Sequence, residues 1–228
     1  MNRIVVVTGA KGGLGSFVTE AFLAAGDTVA GISKSIAAGD FEHERFVAVP
    51  ADLTGPDGAN AAVDEIMRRF GRIDVLAHVM GGFAGGKPVH ETDDATWRRM
   101  MDLNLNAAFH MFRAVAPHMR RAARGRIIAI GGRAAVEPGA NIAAYSASKA
   151  ALVALVASVA GENKDLGITV NVLLPGTMDT AANRAADPGA DFSKWVPPGK
   201  VAALALWLAS EEASAVTGAA IPVYGRGL

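Results

Sequence analysis

Tyr145 and Lys149 stand four residues apart in the run Ala144-Tyr145-Ser146-Ala147-Ser148-Lys149, and on a helix residues four apart share one face. A phenol beside an ammonium is an acid–base pair. The cation stabilises phenolate and draws the tyrosine pKa down from about 10 toward working pH, so such a tyrosine can deliver a proton. Any Ala/Ser-rich helix can hold a Tyr and a Lys at this spacing by chance, and the pair gains meaning from a second feature far upstream. Thr8-Gly9-Ala10-Lys11-Gly12-Gly13-Leu14-Gly15 follows the β-branched run Ile4-Val5-Val6-Val7 and precedes a helix expected to begin near Gly13. Small residues there let the backbone approach a pyrophosphate, and the helix N-terminus offers unpaired N–H groups and positive dipole potential. Gly9, Lys11, Gly13, Leu14 and Gly15 are therefore candidate nucleotide-binding residues, and the two features together point to nucleotide-dependent redox chemistry.

A cofactor without a 2′-phosphate is expected to meet an Asp or Glu at the end of the second strand, where a carboxylate hydrogen-bonds the ribose diol. Here that strand is expected to end Gly31-Ile32-Ser33-Lys34, with a hydroxyl in the carboxylate's place. Lys34 and Lys11 can contact a 2′-phosphate, and Ser33 accepts it without the repulsion a carboxylate adds. The pattern favours NADP(H), with NAD(H) as the alternative. Asp52-Leu53, after the third strand, can present a carboxylate to the adenine amino group.

These residues need a frame that brings strand ends together. Short β-branched runs alternate with longer Ala-rich amphipathic stretches, the pattern of repeated βαβ units and a parallel sheet. Strands are expected at 3–8, 28–33, 45–49, 73–79, 126–131, 168–174 and 219–223, and helices at 13–25, 57–70, 94–122, 143–164 and 199–210. Ile127-Ile128-Ala129-Ile130 is apolar on both faces, as strands covered by helices on both sides are. Asp93 or Asp94 is the expected cap of the third helix, with Gly125 the stop after it. With 51% hydrophobic and 19% charged residues, the 228-residue chain supplies one substantial core, which makes a single α/β domain over 1–228 the expectation. The one long irregular stretch, about 176–198, carries Pro188, Pro197 and Pro198; a loop of that length in a compact domain is usually functional or disordered.

Lys+Arg and Asp+Glu are both 22, so no global field draws the chain to nucleic acid or to an anionic membrane. Cysteine is absent, which excludes disulfides and thiolate metal sites. The N-terminus lacks the segmented pattern of a signal peptide, and no apolar run is uninterrupted for about 18 residues. The expectation is a soluble, cytoplasmic protein that acts on a small molecule.

Thr8-Gly9-x-x-x-Gly13-x-Gly15, Asp52, Asn104, Tyr145-x-x-x-Lys149 and Pro175-Gly176 occur in the order and spacing of the short-chain dehydrogenases/reductases. The resemblance covers nearly the whole chain. It implies a Rossmann-like, doubly wound sheet of seven strands in order 3-2-1-4-5-6-7, with the nicotinamide near Tyr145. It implies Tyr145 as proton donor, Lys149 as the residue that binds the nicotinamide ribose and lowers the tyrosine pKa, and Asn104 as support for a water in a proton relay. Gly81 and Gly82 count among the cofactor-binding residues, Pro175, Gly176 and Thr177 would lie against the nicotinamide, and the following loop would close over substrate. A homodimer or homotetramer is also implied, formed through the helices around 94–122 and 143–164.

Two departures stand out. Most of the family places a serine thirteen residues before the tyrosine, where this chain has Gly132, and the usual Asn-Asn-Ala-Gly after the fourth strand is replaced by His78-Val79-Met80-Gly81. One consequence would be a catalytically impaired NADP(H)-binding sensor or scaffold. The other is a reductase for a substrate that is already activated. Gly81-Gly82-Phe83-Ala84-Gly85-Gly86, the missing serine, and the run from Leu174 through Arg184 with Ala190-Asp191-Phe192-Ser193-Lys194-Trp195 resemble quinonoid dihydropteridine reductase. That enzyme keeps the tyrosine and lysine and dispenses with the serine, its quinonoid ring being strongly electrophilic. The resemblance makes Phe83 a stacking surface for a flat heterocycle. It breaks at Ser33, where that reductase is acidic, at Phe83, where it has tryptophan, and at Asn104. The expected activity is hydride transfer from NADPH to an activated C=N, quinonoid or C=O group.

Arg133 can reach an anionic or carbonyl oxygen of the substrate or face solvent, and Trp195 can help cover the site. Trp97 and Trp207 read as packing residues. His78 reads as a hydrogen-bonded packing residue, and His43, His90, His110 and His118 show no metal-ligand spacing, so no metal site is expected.

Overall fold

The alternation of Val5, Val6 and Val7 sets up the layers. Successive strand side chains face opposite sides of a sheet. Val6 joins one apolar cluster with Leu76, Ile127 and Val170, whereas Val5 and Val7 join another with Val75, Ile128 and Leu173. The computed structural model describes residues 3–226; residues 1, 2, 227 and 228, which the single-domain expectation includes, lie outside the described residues. All seven expected strands form one parallel sheet, ordered β3-β2-β1-β4-β5-β6-β7. They are β1 (Ile4–Thr8), β2 (Thr28–Ser33), β3 (Phe46–Pro50), β4 (Val75–His78), β5 (Gly125–Ile130), β6 (Ile168–Pro175) and β7 (Ala220–Val223). β1, β4, β5 and β6 are buried along their whole lengths, while the edge strand β7 is part exposed.

α1 (Gly15–Ala24) and α7 (Pro198–Leu208) cover one face of the sheet and pack on each other. α2 (Pro56–Phe70), α4 (Ala107–Ala122) and α5 (Ala143–Asn163) cover the other. α2 starts on Pro56, at a position where no backbone N–H is needed, and ends on Gly71 at φ 71°. By length and hydropathy α5, continued through Leu166, is able to cross a membrane. In the fold it is a core helix, with Leu152, Val156 and Ala160 buried over the sheet.

The 94–122 stretch is not one α-helix. α3 (Asp94–Met101) is capped by Asp93, whose carboxylate accepts the Thr96 N–H at 2.7 Å, and it passes into a π-helical turn at Asp102–Asn106 before α4 begins. Such turns shift the helical register and recur at functional sites; this one carries Asn104. Gly125 is also not the stop. The chain leaves α4 through Ala123 in the left-handed conformation (φ 50°), and Gly125 opens β5, where a Cβ would come 2.4 Å from Met119 Sδ. Close approach of α4 to the sheet, rather than a turn, requires that glycine.

The irregular stretch 176–198 holds one short helix and a 3-10 turn at Phe192–Lys194. Thr180 caps α6 (Ala181–Ala186), and Met178 pairs with Val196. The Asp179 N–H donates to Val196 O at 2.9 Å and the Val196 N–H to Thr177 O at 2.8 Å, which ties the two ends of the segment into a flap. Trp97 and Trp207, expected in the packing, are 45% and 44% exposed.

A candidate active site at the strand carboxyl ends

The glycine turn folds back on itself against the end of β4. Gly9 has φ +65°, and a Cβ there would meet Met80 Cα and N at 3.0 Å; a Cβ at Gly15 would lie 1.9 Å from Gly9 O. α1 begins after Leu14 with neither a side-chain cap nor an acidic residue in its first turn. The Gly12 and Ser16 N–H groups are spent on Gly9 O and Gly12 O, but no side chain caps or neutralises the positive end of the helix dipole, and this cradle fits a dinucleotide pyrophosphate. Leu14 is buried, so only its backbone can serve. Across the cradle lies Thr180 of the flap, a residue the sequence placed only within the Leu174–Arg184 run and gave no role: a Cβ on Gly13 would sit 3.2 Å from Thr180 Cγ2. Its sequence signal was no more than a helix-cap pattern.

At the end of β2, Ser33 Oγ accepts the Lys11 N–H at 3.5 Å. The charged neighbours are arranged differently from the expectation. Lys34 and Asp52, assigned to opposite ends of the adenosine, are paired with each other at 2.8 Å. Lys34 and then Thr54 hold the Asp52 carboxyl down to about 2. Lys11 is paired with Asp40, a residue the sequence did not single out. Leu53 is 2% exposed and belongs to the core.

At the reacting end, α5 delivers Lys149 and Tyr145 to the tips of β5 and β6. Lys149 is buried, and its Nζ donates to Ile130 O at 2.8 Å. Burial lowers Lys149 to about 8. Burial also pushes the Tyr145 phenol above its ordinary value, the reverse of the expected lowering by Lys149: desolvation disfavours phenolate, and the ammonium's hydrogen bond goes to Ile130. Tyr145 is therefore a protonated acid at neutral pH. A Cβ added to Gly132 would lie 2.8 Å from Tyr145 Oη, and Phe83 stands edge-on to the Tyr145 ring at 5.0 Å, itself 63% exposed.

Asn104 is fully buried, and its amide is spent on protein partners. Its Oδ1 accepts the Gly82 N–H at 2.9 Å, and its Nδ2 donates to Gly82 O and to Ser148 Oγ, each at 3.0 Å. Through these bonds the side chain clasps the segment after β4. The adjacent Gly81 is where Asn104 and Lys149 converge, since a Cβ there would lie 2.8 Å from Asn104 Oδ1 and 3.1 Å from Lys149 Nζ. His78, which pairs in register with Thr8, has Nδ1 3.1 Å from Thr8 Oγ, and that oxygen also accepts the Val79 and Met80 N–H groups. Burial, then Lys149, holds His78 at about 3, so it is a neutral packing residue as expected.

Pro175 is buried at the end of β6, the Gly176 N–H donates to Val223 O at 3.0 Å, and Thr177 is exposed at the mouth of the flap. Arg133 pairs with Glu137 at 2.6 Å and lies over the Tyr224 ring at 4.9 Å. Trp195 packs against Phe192 within the flap, the ring centroids 4.8 Å apart and the planes tilted by 56°, and Arg184 covers Phe192 at 4.6 Å from its centroid.

This arrangement, with a phosphate cradle at one strand end and a Tyr–Lys pair two strands away, has known counterparts. A sequence model of the short chain dehydrogenases matches residues 3–191. The chain belongs to the short chain dehydrogenase family. It is 32% identical to the 3-oxoacyl-[acyl-carrier-protein] reductase FabG of Salmonella typhimurium over 98% of this chain and 96% of that protein. It is 34% identical to 3beta-hydroxysteroid dehydrogenase 1 of Eggerthella lenta, over 98% and 92%. Among solved structures, the ligand-free aldohexose dehydrogenase of Thermoplasma acidophilum superposes with a TM-score of 0.89 at 30% identity, covering 99% of this chain and 94% of that one. The short chain dehydrogenases are oxidoreductases that use NAD(P)(H), and the cradle described above fits such a nucleotide.

The buried lysine gives this family member a pH signature. Its ammonium is lost as pH rises through about 8, so kcat/KM, which reports the free enzyme, should decline above that value. The linkage runs the other way for stability. An unfolded lysine keeps its proton up to about 10.5, so between about 8 and that pH the unfolded state binds more protons and the fold gains stability with pH. Lost activity in this window would not be unfolding. Steady-state rates with thermal melts from pH 6 to 10 test it, and a flat kcat/KM up to about pH 9.5 would contradict the assignment.

Proposed function

We propose that this short chain dehydrogenase is an NADP(H)-preferring reductase for an activated C=N, quinonoid or C=O group, with a quinonoid dihydropterin as the first substrate to try. The nicotinamide nucleotide supplies the hydride when bound. Tyr145 donates the proton from Oη. Asn104 holds the segment at Gly82 against which the reacting ring would rest, Lys149 would bind the nicotinamide ribose beside it, and Pro175, Gly176 and Thr177 would line the opposite side. The relatives' names cover an acyl carrier protein substrate, a steroid and a hexose, so family membership leaves the substrate to the site.

The observation that carries the reading is the closeness of Tyr145 Oη to Gly132. The phenol leans into the space a serine would need, and Gly132 itself carries no hydroxyl to polarise a carbonyl. A site that supplies a proton and little polarisation suits an acceptor that is already electron-poor. The exposed Phe83, edge-on to Tyr145, supports a flat heterocycle: its free face offers stacking worth about 0.5–1.5 kcal/mol beyond area. Phe83→Ala should raise KM for such an acceptor by roughly threefold to tenfold with kcat little changed. Cofactor preference rests on Ser33, which adds no carboxylate where a 2′-phosphate would sit.

The deciding experiment measures NADPH and NADH oxidation with quinonoid dihydropterin, a quinone, an imine and a ketone. Activity with NADH alone would overturn the cofactor reading. Tight NADPH binding without turnover of any acceptor would instead favour the sensor or scaffold. A homodimer or homotetramer is part of the proposal. Trp97 and Phe109 are exposed on α3 and α4, and Ala150, Ala154 and Ala157 are exposed on α5 rather than packed on its own sheet; light scattering tests this.

A further inference from the structure

Both lysines on the adenosine side of the cradle already hold a carboxylate. Lys11 Nζ lies 2.8 Å from Asp40 Oδ1, and Lys34 Nζ lies 2.8 Å from Asp52 Oδ2. The first pair is the more enclosed, with the Asp40 side chain 21% exposed against 50% for Asp52. Asp40 is also fixed from behind, since its Oδ2 accepts the Ala37 N–H at 2.8 Å. Lys11 is held by more than the ion pair: its Nζ reaches Ser35 O at 3.5 Å, and its backbone N–H points to Ser33 Oγ. The glycine turn, the end of β2 and the short turn at Ala38–Asp40 are therefore joined in one cluster around a single ammonium. The Lys11 hydrogen bond leads the causes that keep the Asp40 carboxyl below its usual range, so it is ionised at neutral pH.

A 2′-phosphate entering beside Ser33 would carry close to two negative charges, as phosphate monoesters do, and it would want the same ammonium. We propose that Asp40 is a cofactor-discriminating residue: an internal carboxylate that occupies Lys11 as the phosphate would, so that a 2′-phosphorylated nucleotide binds only by displacing it. A nucleotide with a free 2′-hydroxyl leaves the pair intact. The placement of the phosphate rests on the NADP(H) reading above. Lys11 then contributes less to NADPH affinity than a free cation would, and Asp40 adds repulsion to the incoming phosphate. Because both partners remain in contact with solvent, the barrier is shallow.

The test is direct titration of NADPH, NADH, 2′,5′-ADP and 5′-AMP against the parent, Asp40→Asn, and Asp40→Asn combined with Lys11→Gln. Asparagine keeps an acceptor for the Ala37 N–H, so the local turn is retained. Asp40→Asn is expected to tighten NADPH and 2′,5′-ADP by about tenfold or somewhat less, with NADH and 5′-AMP unchanged within about twofold. Adding Lys11→Gln should erase the gain. An equal shift for NADH, no shift for 2′,5′-ADP, or a gain that survives Lys11→Gln would each overturn the proposal. The outcome is separable from the cofactor reading itself. Parent protein that prefers NADH would refute that reading, whereas the change in the NADPH-to-NADH ratio on Asp40→Asn judges this inference in either case.

Discussion

Tyr145→Phe is expected to bind nucleotide as the parent does and to turn over about 10²–10⁴-fold more slowly, the range general acid catalysis supplies. The Tyr145 ring packs edge-on to Phe83, and phenylalanine keeps that contact. The only atom removed is Oη, which lies against Gly132. Lys149 is held by Ile130 O rather than by the phenol, so its position should survive the change, and with it the cradle around Gly81. Nucleotide titration and single-turnover rates separate the two effects. Parent-like turnover with every accepted substrate would remove Tyr145 from the chemistry. A parallel collapse of nucleotide affinity would mean instead that the hydroxyl holds the fold of the site.

Gly132→Ser, which installs the residue most of the family carries, is expected to lower turnover of the activated acceptor by roughly 10–10²-fold rather than improve it, since misplacing a reacting group by about 1 Å can cost on that order. A Cβ at this position would stand 2.8 Å from Tyr145 Oη, inside van der Waals contact. The phenol must move, and the Phe83 ring limits where it can go. Gly132→Ala isolates crowding from the hydroxyl: both variants should fall together. If serine raised the rate while alanine lowered it, the site would be an ordinary carbonyl reductase missing its polarising group, and the reading of Gly132 as an adaptation would be wrong.

Much of this was legible along the chain. The seven strands came from β-branched runs bounded by turn residues, because burial on both faces leaves a local mark in composition. The glycine turn was readable because Gly9 and Gly15 answer to constraints within a few residues of themselves, a positive φ and a 1.9 Å approach to Gly9 O. The π-helical turn at Asp102–Asn106 was not. It carries Asn104 to Gly82 and Ser148, partners from other elements, so the helical apolar period passes over it. The role of Gly125 was misread for a similar reason: the atom that excludes its side chain, Met119 Sδ, belongs to the preceding helix packed across it.

The charged groups divide along the same line. Type and spacing made Lys11, Lys34, Asp52, Tyr145 and Lys149 candidates. Which of them pair was not visible there, since Lys11 with Asp40 and Lys34 with Asp52 meet only when the ends of β2 and β3 and the turns beyond them converge. The direction of the Tyr145 shift was also beyond sequence, because burial opposes the lysine's field and its extent is set by the surrounding fold. The sequence by itself thus determined the family frame and singled out the candidate reacting residues, whose signatures are local. The tertiary structure decided how they are coupled: contacts between distant segments assign each charge its partner and each glycine the neighbour that requires it.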